Sequence, residues 1–406
     1  MNRYVVVLSI VTGIAVLGNG LAITALMLDF HARDSGSTAI AALFAALAVP
    51  DIALAGLAGR IADNVPLRKI LAAAGTTLTL SCAALAHAAE AAVVVLLVAV
   101  MSGLMTIVTP AMLKAVAGAT PDALLSRAQA RMSMAANAGM LLGPPAAGVL
   151  METADLRTAL LVVAATSLAL PLSACFLPSA HVAPAGGGKA GLTPGLRAIA
   201  AQPTLTRVVA VGLVVVLAMQ VTNVAEVFLV KDELHAGSTA FGLITTVLAA
   251  GQLAGAWAAG TLLARPAPGR PPRPSAVASS TVATAGTSLV LVSVSTEIGI
   301  VYVLTGLIGC ALGGFAVARQ TMLARLTDER LHGSVFAAHA ALVNVSVGVG
   351  LLTAGAAENL LGPRAVYAAT GLVLLAALVT SLLPARLHRA RRLEPRDAPG
   401  RVPLDH

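Results

Sequence analysis

The stretch Asn137-Ala-Gly-Met-Leu-Leu-Gly-Pro-Pro-Ala-Ala-Gly-Val-Leu150 decides how this chain folds. It is apolar, rich in small residues, and carries Pro144 and Pro145 inside a hydrophobic run. In a soluble helix such a pair removes two donors and clashes with the preceding turn. Inside a membrane bundle, neighbouring helices can satisfy the freed carbonyls, and Gly139, Gly143 and Gly148 let another helix approach closely. The same pattern returns 207 residues later, where Asn344, Gly350 and Gly355 match Asn137, Gly143 and Gly148. Similar runs precede both copies, Ala-Met-Leu-Lys at 111–114 and Thr-Met-Leu-Ala at 321–324. A repeat offset near half of 406 residues predicts a duplicated chain, two parallel halves of six helices each.

Composition points to the same solvent. The chain is 58% hydrophobic and 11% charged, with a mean hydropathy of +0.89; soluble domains carry about 25% charge. A pI near 10.1 invites a nucleic-acid reading, but the basic residues form no single patch. They fall in short loops between apolar spans, so no nucleic-acid partner is expected. Cys82, Cys175 and Cys310 lie inside apolar spans, without disulfide or metal spacing, and read as small buried hydrophobes. The first span is too long for a signal peptide and reads as a retained helix.

Apolar runs of membrane-crossing length number twelve: about 4–28, 38–59, 70–89, 91–114, 131–151, 157–177, 205–229, 239–264, 275–295, 298–320, 334–357 and 364–384. With the N-terminus inside, 22 of the 26 Lys and Arg fall on the inner side, leaving Arg33, Arg157, Lys231 and Arg364 outside. That asymmetry predicts two cytoplasmic termini. The expected organisation is a six-helix bundle over 1–177, a flexible cytoplasmic linker over 178–204 containing Pro-Ala-Gly-Gly-Gly-Lys, a second bundle over 205–384, and a basic tail over 385–406.

Twelve spans, a central loop and a duplicated half resemble the major facilitator superfamily. Gly139-x3-Gly143-Pro144-x2-Ala147-Gly148 is similar to the antiporter motif of exporters in that superfamily, with Ala147 where a glycine is usual. Gly59-x3-Asp63, followed by Arg68 and Lys69, resembles the signature loop between the second and third helices, although Asn64, Pro66 and Leu67 replace three of its residues. The resemblance implies that Asp63 latches one conformational state. It also implies that the first, fourth, seventh and tenth helices line a central cavity. The second-half loop is degenerate, with Ala264 at the acidic position. The Arg-x-x-x-Gly element of drug–proton antiporters is missing, since Ala99 stands where the arginine would precede Gly103. The chain is therefore closer to the bacterial exporters that resemble the enterobactin exporter.

Of 18 Asp and Glu, only Asp51 and Glu226 lie well inside apolar spans. A charge at the bilayer centre costs about 2.5–3.5 kcal/mol, so such acids mark function. Asp51 follows Pro50 in the second helix, about 12 Å from its cytoplasmic end, and can relay a proton as access alternates. The bland reading is a carboxyl that hydrogen-bonds a freed carbonyl or a neighbouring helix and never titrates. Glu226 shares one face of the seventh helix with Gln220 and Asn223 by its i, i+3, i+6 spacing, near the outer end. It can meet a cationic substrate or a proton, or it can be a gate contact at the interface. Asn19 and Gln252 are further candidates for polar cavity groups, while Asn137 and Asn344 suit interhelical hydrogen bonds. His339 lies inside the eleventh span and suits packing.

No nucleotide-binding loop, metal spacing or serine elbow is present, so no cofactor is expected and energy must come from an ion or substrate gradient. The expected function is an exporter of an amphiphilic small molecule from a bacterial cell, driven by protons and acting as a monomer in the lipid bilayer. A nutrient importer and a non-transporting receptor are the alternatives. A membrane enzyme fits least.

Overall fold

The computed structural model describes residues 3–382 except 89, 121, 177–191, 265–272 and 329–330. The described residues are helical, without strands. In chain order the helices are α1 Arg3–Ala32, α2 Gly36–Asn64, α3 Leu67–Leu85, α4 Ala91–Ala119, α5 Asp122–Thr153, α6 Leu156–Ser167, α7 Ala169–Phe176, α8 Leu192–Ala201, α9 Pro203–Phe228, α10 Ser238–Ala264, α11 Pro274–Val294, α12 Ile298–Leu326, α13 His332–Leu361 and α14 Pro363–Leu382.

Among the described residues eleven stretches are long and apolar enough to cross a membrane; α6 and α7 together form one of them. The break between those two falls at Leu168, where Pro171 cannot donate one turn back. The twelfth crossing is α3, diluted by Arg68, Lys69, Thr76, Thr77 and Thr79. Bulky apolar side chains face outward where lipid would lie: Trp257 is 73% exposed and Leu360 83%.

The duplication is visible in the packing. α1 packs on α5 as α9 packs on α13; α2 on α4 as α10 on α12; α3 on α6–α7 as α11 on α14. Two main contacts join the bundles, α5 with α10 and α13 with α2, and they are also equivalents; α9 adds smaller ones to α1 and α2. The repeated glycines divide the work. A Cβ on Gly143 would lie 2.7 Å from the Leu17 carbonyl of α1, and one on Gly350 would lie 3.0 Å from the Leu217 carbonyl of α9. A Cβ on Gly148 would lie 2.5 Å from the Ser238 carbonyl of α10, and one on Gly355 would lie 3.1 Å from the Ser37 carbonyl of α2. In each copy, then, one glycine closes a bundle and the next joins it to the other.

Helices outrun their apolar cores. α2 continues through Asp63 and stops because Pro66 forces Val65 to φ −112°, ψ 132°. The expected loop carrying Gly59 and Asp63 is therefore the last two turns of α2, and only Val65 and Pro66 link it to α3. The segment expected to be a flexible linker contains α8, whose Gly195 lies against Ser334 of α13. Residues 177–191 and the tail from 383 lie outside the described residues. Cys175 is exposed rather than buried.

Candidate functional site

Between the two bundles lies a cavity of about 550 Å³. α1, α2 and α5 supply one wall and α9, α10 and α12 the other. The expectation of lining by the first, fourth, seventh and tenth helices holds for α1, α9 and α12. The polar face of α4 instead serves α2: Ser102 Oγ donates to the Leu47 carbonyl at 2.6 Å, one turn before Asp51.

Asn19, Gln220, Asn223, Glu226 and Gln252 all line the cavity. The helical spacing of the α9 trio is realised, and Asn223 Nδ2 donates to Gln220 Oε1 at 3.2 Å. Glu226 Oε1 is buried without a hydrogen-bond partner. The walls between these groups are aliphatic, with Val215, Val216, Leu248 and Leu312 among them. A polar stripe in an apolar chamber suits an amphiphile.

Sequence reading missed Arg319. It was counted among the inner loop cations, yet α12 runs on to Leu326 and carries Arg319 two turns inside its end, where it lines the cavity. Its Nε is buried without a partner, and its guanidinium carbon lies 5.6 Å from the Phe315 ring centroid. Gly212 of α9 makes the room, since a Cβ there would stand 3.0 Å from Arg319 Cδ. Gly212 and Glu226 are fourteen residues apart on one helix, so Arg319 and Glu226 sit at opposite ends of the chamber, about 20 Å apart along its axis. Buried His339 of α13 lies within electrostatic reach of Arg319.

Asp51 is exposed, accepts a hydrogen bond from Thr106 Oγ1 of α4, and is not among the cavity-lining residues. Of the latch residues, Arg68 and Lys69 are exposed on the first turn of α3, while the side chain of Asp63 and the surroundings of Gly59 lie outside the described residues. The α5 motif splits. Gly139 and Gly143 face α1, whereas Pro144 lines the cavity and its carbonyl meets Gly242 of α10. The interhelical bonds expected of Asn137 and Asn344 are not formed among the described residues.

The chamber is closed at the face remote from the termini. Thr239 of α10 donates from its backbone N–H to Glu152 Oε2 of α5 at 3.1 Å, and from its hydroxyl to the same oxygen. Ser37 Oγ of α2 donates to the Gly355 carbonyl at 3.0 Å, and Asn359 Nδ2 of α13 donates to Thr38 Oγ1 at 3.2 Å. His31 Nε2 pairs with Asp232 at 3.0 Å and its ring meets Phe228 edge-on. Asp232 belongs to a single π-helical turn, Leu229–Glu233, that extends α9. All of these join the two halves in the part of the molecule remote from the termini.

A family model described as the Major Facilitator Superfamily matches residues 6–228 and 208–405. The chain belongs to the Major Facilitator Superfamily. It is thus a multi-pass membrane transporter of small molecules. A comparison with curated proteins returned no match. Among solved structures, the nucleoside transporter NupG is similar at 15% identity and a TM-score of 0.78, over 94% of this chain and 98% of that one. A bacterial homologue of the human lysosomal transporter Spinster, inward-facing and occupied, is similar at 12% identity and a TM-score of 0.76, over 98% and 100%. A POT family transporter in complex with a thioalcohol-conjugated peptide is similar at 11% identity and a TM-score of 0.72, over 97% of each chain. At such identities these likenesses carry the fold of the superfamily and not its substrates. Among the described residues no His, Cys, Asp and Glu cluster could hold a metal ion.

Proposed function

We propose that this transporter is a proton-driven exporter. It carries an amphiphilic small molecule out of a bacterial cell by rocking residues 1–177 against 205–384, as a monomer with both termini in the cytoplasm. The charge asymmetry of the loops supports that orientation, and the helix-5 motif supports export. In that orientation the closed face is periplasmic and the chamber belongs to the cytoplasmic-access half of the cycle.

The observation that carries the reading is Glu226, a carboxyl with a buried, unpartnered oxygen in the chamber between the bundles. Carrying its charge through an occluded state costs about 2.5–3.5 kcal/mol. The carboxyl therefore crosses neutral, either protonated or paired with a cationic group of the substrate. A substrate cation and a proton that exclude each other at one carboxylate are sufficient for antiport, because each return trip needs the other occupant. These arguments favour Glu226 over Asp51 as the coupling residue.

The test is dye and antibiotic movement in proteoliposomes under an imposed pH gradient, for wild type, Glu226→Gln and Asp51→Asn. Gradient-driven movement that disappears in Glu226→Gln alone is the expected result. Movement that survives in Glu226→Gln overturns the coupling role. Accumulation by right-side-out vesicles overturns the direction in favour of import.

A further inference from the structure

A second, smaller cavity of about 180 Å³ lies within the C-terminal bundle, among α9, α11, α12 and α14. Thr204 and Arg207 from the first turns of α9 line it, as do Ser275 and Ser279 from the first turns of α11. Both helices begin with a proline, Pro203 and Pro274. Their remaining free N–H groups and dipoles favour negative charge at that end. Arg319 of α12 lines the same cavity, so one arginine is shared by both chambers. Arg207 is exposed, and Arg319 Nε is buried without a partner. Among the described residues no Asp or Glu lines the cavity. The opposite wall is apolar, with Val211, Phe315, Met322 and Leu378.

Two arginines, two helix starts and serine hydroxyls give this cavity of about 180 Å³ a positive, hydrogen-bonding lining. We propose that this side cavity is a binding site for a phosphate-class anion, held by Arg207 and Arg319 with the hydroxyls of Ser275 and Ser279. Guanidinium forks match phosphate oxygens in pairs. The group is either the phosphate of an anionic lipid, whose glycerol would lie along the apolar wall, or a soluble phosphate. Because Arg319 is shared, an anion here neutralises the positive end of the central chamber. The inference does not depend on the direction or coupling of transport.

The test uses the full chain in detergent. Native mass spectrometry with phosphatidylglycerol, phosphatidylcholine and inorganic phosphate is run on wild type, Arg207→Gln, Ser279→Leu and Arg131→Gln. Ser279→Leu fills the cavity and leaves both arginines in place, and Arg131 is a cation of the other bundle. Selective retention of phosphatidylglycerol, weakened about tenfold by Arg207→Gln, the scale of one lost charge-assisted bond, and weakened also by Ser279→Leu but not Arg131→Gln, establishes the site with a lipid ligand. The same pattern with inorganic phosphate, and no preference between the lipids, establishes it with a soluble ligand. Equal binding by wild type, Arg207→Gln and Ser279→Leu overturns it. Thermal unfolding without ligand confirms that each variant is folded.

Discussion

The Leu141 carbonyl, which Pro145 leaves without its helical donor, accepts the hydroxyl of Thr246 from α10 at 3.1 Å, a donor shared with the Gly242 carbonyl of α10 at 3.0 Å. A proline of one bundle is thereby satisfied by the other, and only while the bundles are together. Thr246→Val keeps the side-chain volume and removes the donor. Hydrogen bonds of this kind inside membranes contribute about 0.6 kcal/mol on average and up to about 1.7. The variant is expected to shift the population toward opening at the remote face. Spin labels on exposed Arg157 and Glu297, one per bundle, read this by double electron–electron resonance. An unchanged distance distribution would show that the bond is incidental to closure.

Gly143 and Gly148 share a motif, yet alanine at each should do different things. At Gly143 the added methyl meets backbone of α1 inside one bundle. Gly143→Ala should cost about 1–3 kcal/mol of overpacking and lower the melting temperature. At Gly148 it meets the Ser238 carbonyl across the bundles, and the halves can part to relieve it. Gly148→Ala should melt like the wild type while the same label pair reports loss of the closed state. Equal melting losses in both variants would contradict this division.

Much of this was legible because the bilayer leaves few options. The glycine–proline repeat named the duplication and two helices that pack closely, without naming their partners, and the spacing of Gln220, Asn223 and Glu226 placed a polar face that does line the cavity. Two things were hidden. Helices continue past their apolar cores, so Asp63 read as a loop residue and Arg319 as a loop cation, although both lie in regular helix. The available signal for Arg319 was its place one residue inside the tenth apolar run. For Asp51 the hidden part was its surroundings. Its depth along α2 was readable, but the side of α2 it occupies depends on α4, whose Thr106 claims it.

Asp51 is therefore expected to act on helix pairing rather than on coupling. Asp51→Asn keeps an acceptor for Thr106, whereas Asp51→Leu and Thr106→Val remove the bond. Gradient-driven transport should survive in all three, with lower melting temperatures only in the last two. Loss of gradient dependence in Asp51→Asn, with stability unchanged, would return the coupling role to Asp51.

At the remote face Asp155 caps α6. The Thr158 side chain and its backbone N–H, the latter at 2.8 Å, hold its carboxyl below the ordinary aspartate range. A depressed value in the folded state means that the cap's contribution is present above the unfolded aspartate's range and lost as pH falls through the folded value. Asp155→Asn keeps an acceptor that does not titrate. Hydrogen exchange at the Thr158 amide should be protected in both proteins near neutrality. In acid, protection should persist in Asp155→Asn and fall in the wild type. Parallel behaviour down to pH 2 would rule out the cap as the titrating element.

Arg319 gives the sharpest prediction about what the chamber accepts. It is an unpartnered cation at one end of an apolar cavity whose other end holds Glu226. With the side cavity free of anion, a substrate cation midway along, about 10 Å from Arg319, meets a repulsion of about 1.7 kcal/mol at an effective dielectric near 20. Arg319→Gln removes it, so cationic amphiphiles should compete roughly tenfold better and anionic ones should weaken by a similar factor. Neutral analogues of the same shape should be unaffected. Gly212→Ala is the control for position, since its methyl meets only the flexible arm of Arg319. It should fold normally, displace the guanidinium and shift the charge preference in the same direction by a smaller amount. Uniform weakening of cationic, anionic and neutral compounds by Arg319→Gln would mean that the residue supports the structure of the chamber and does not set its charge selectivity.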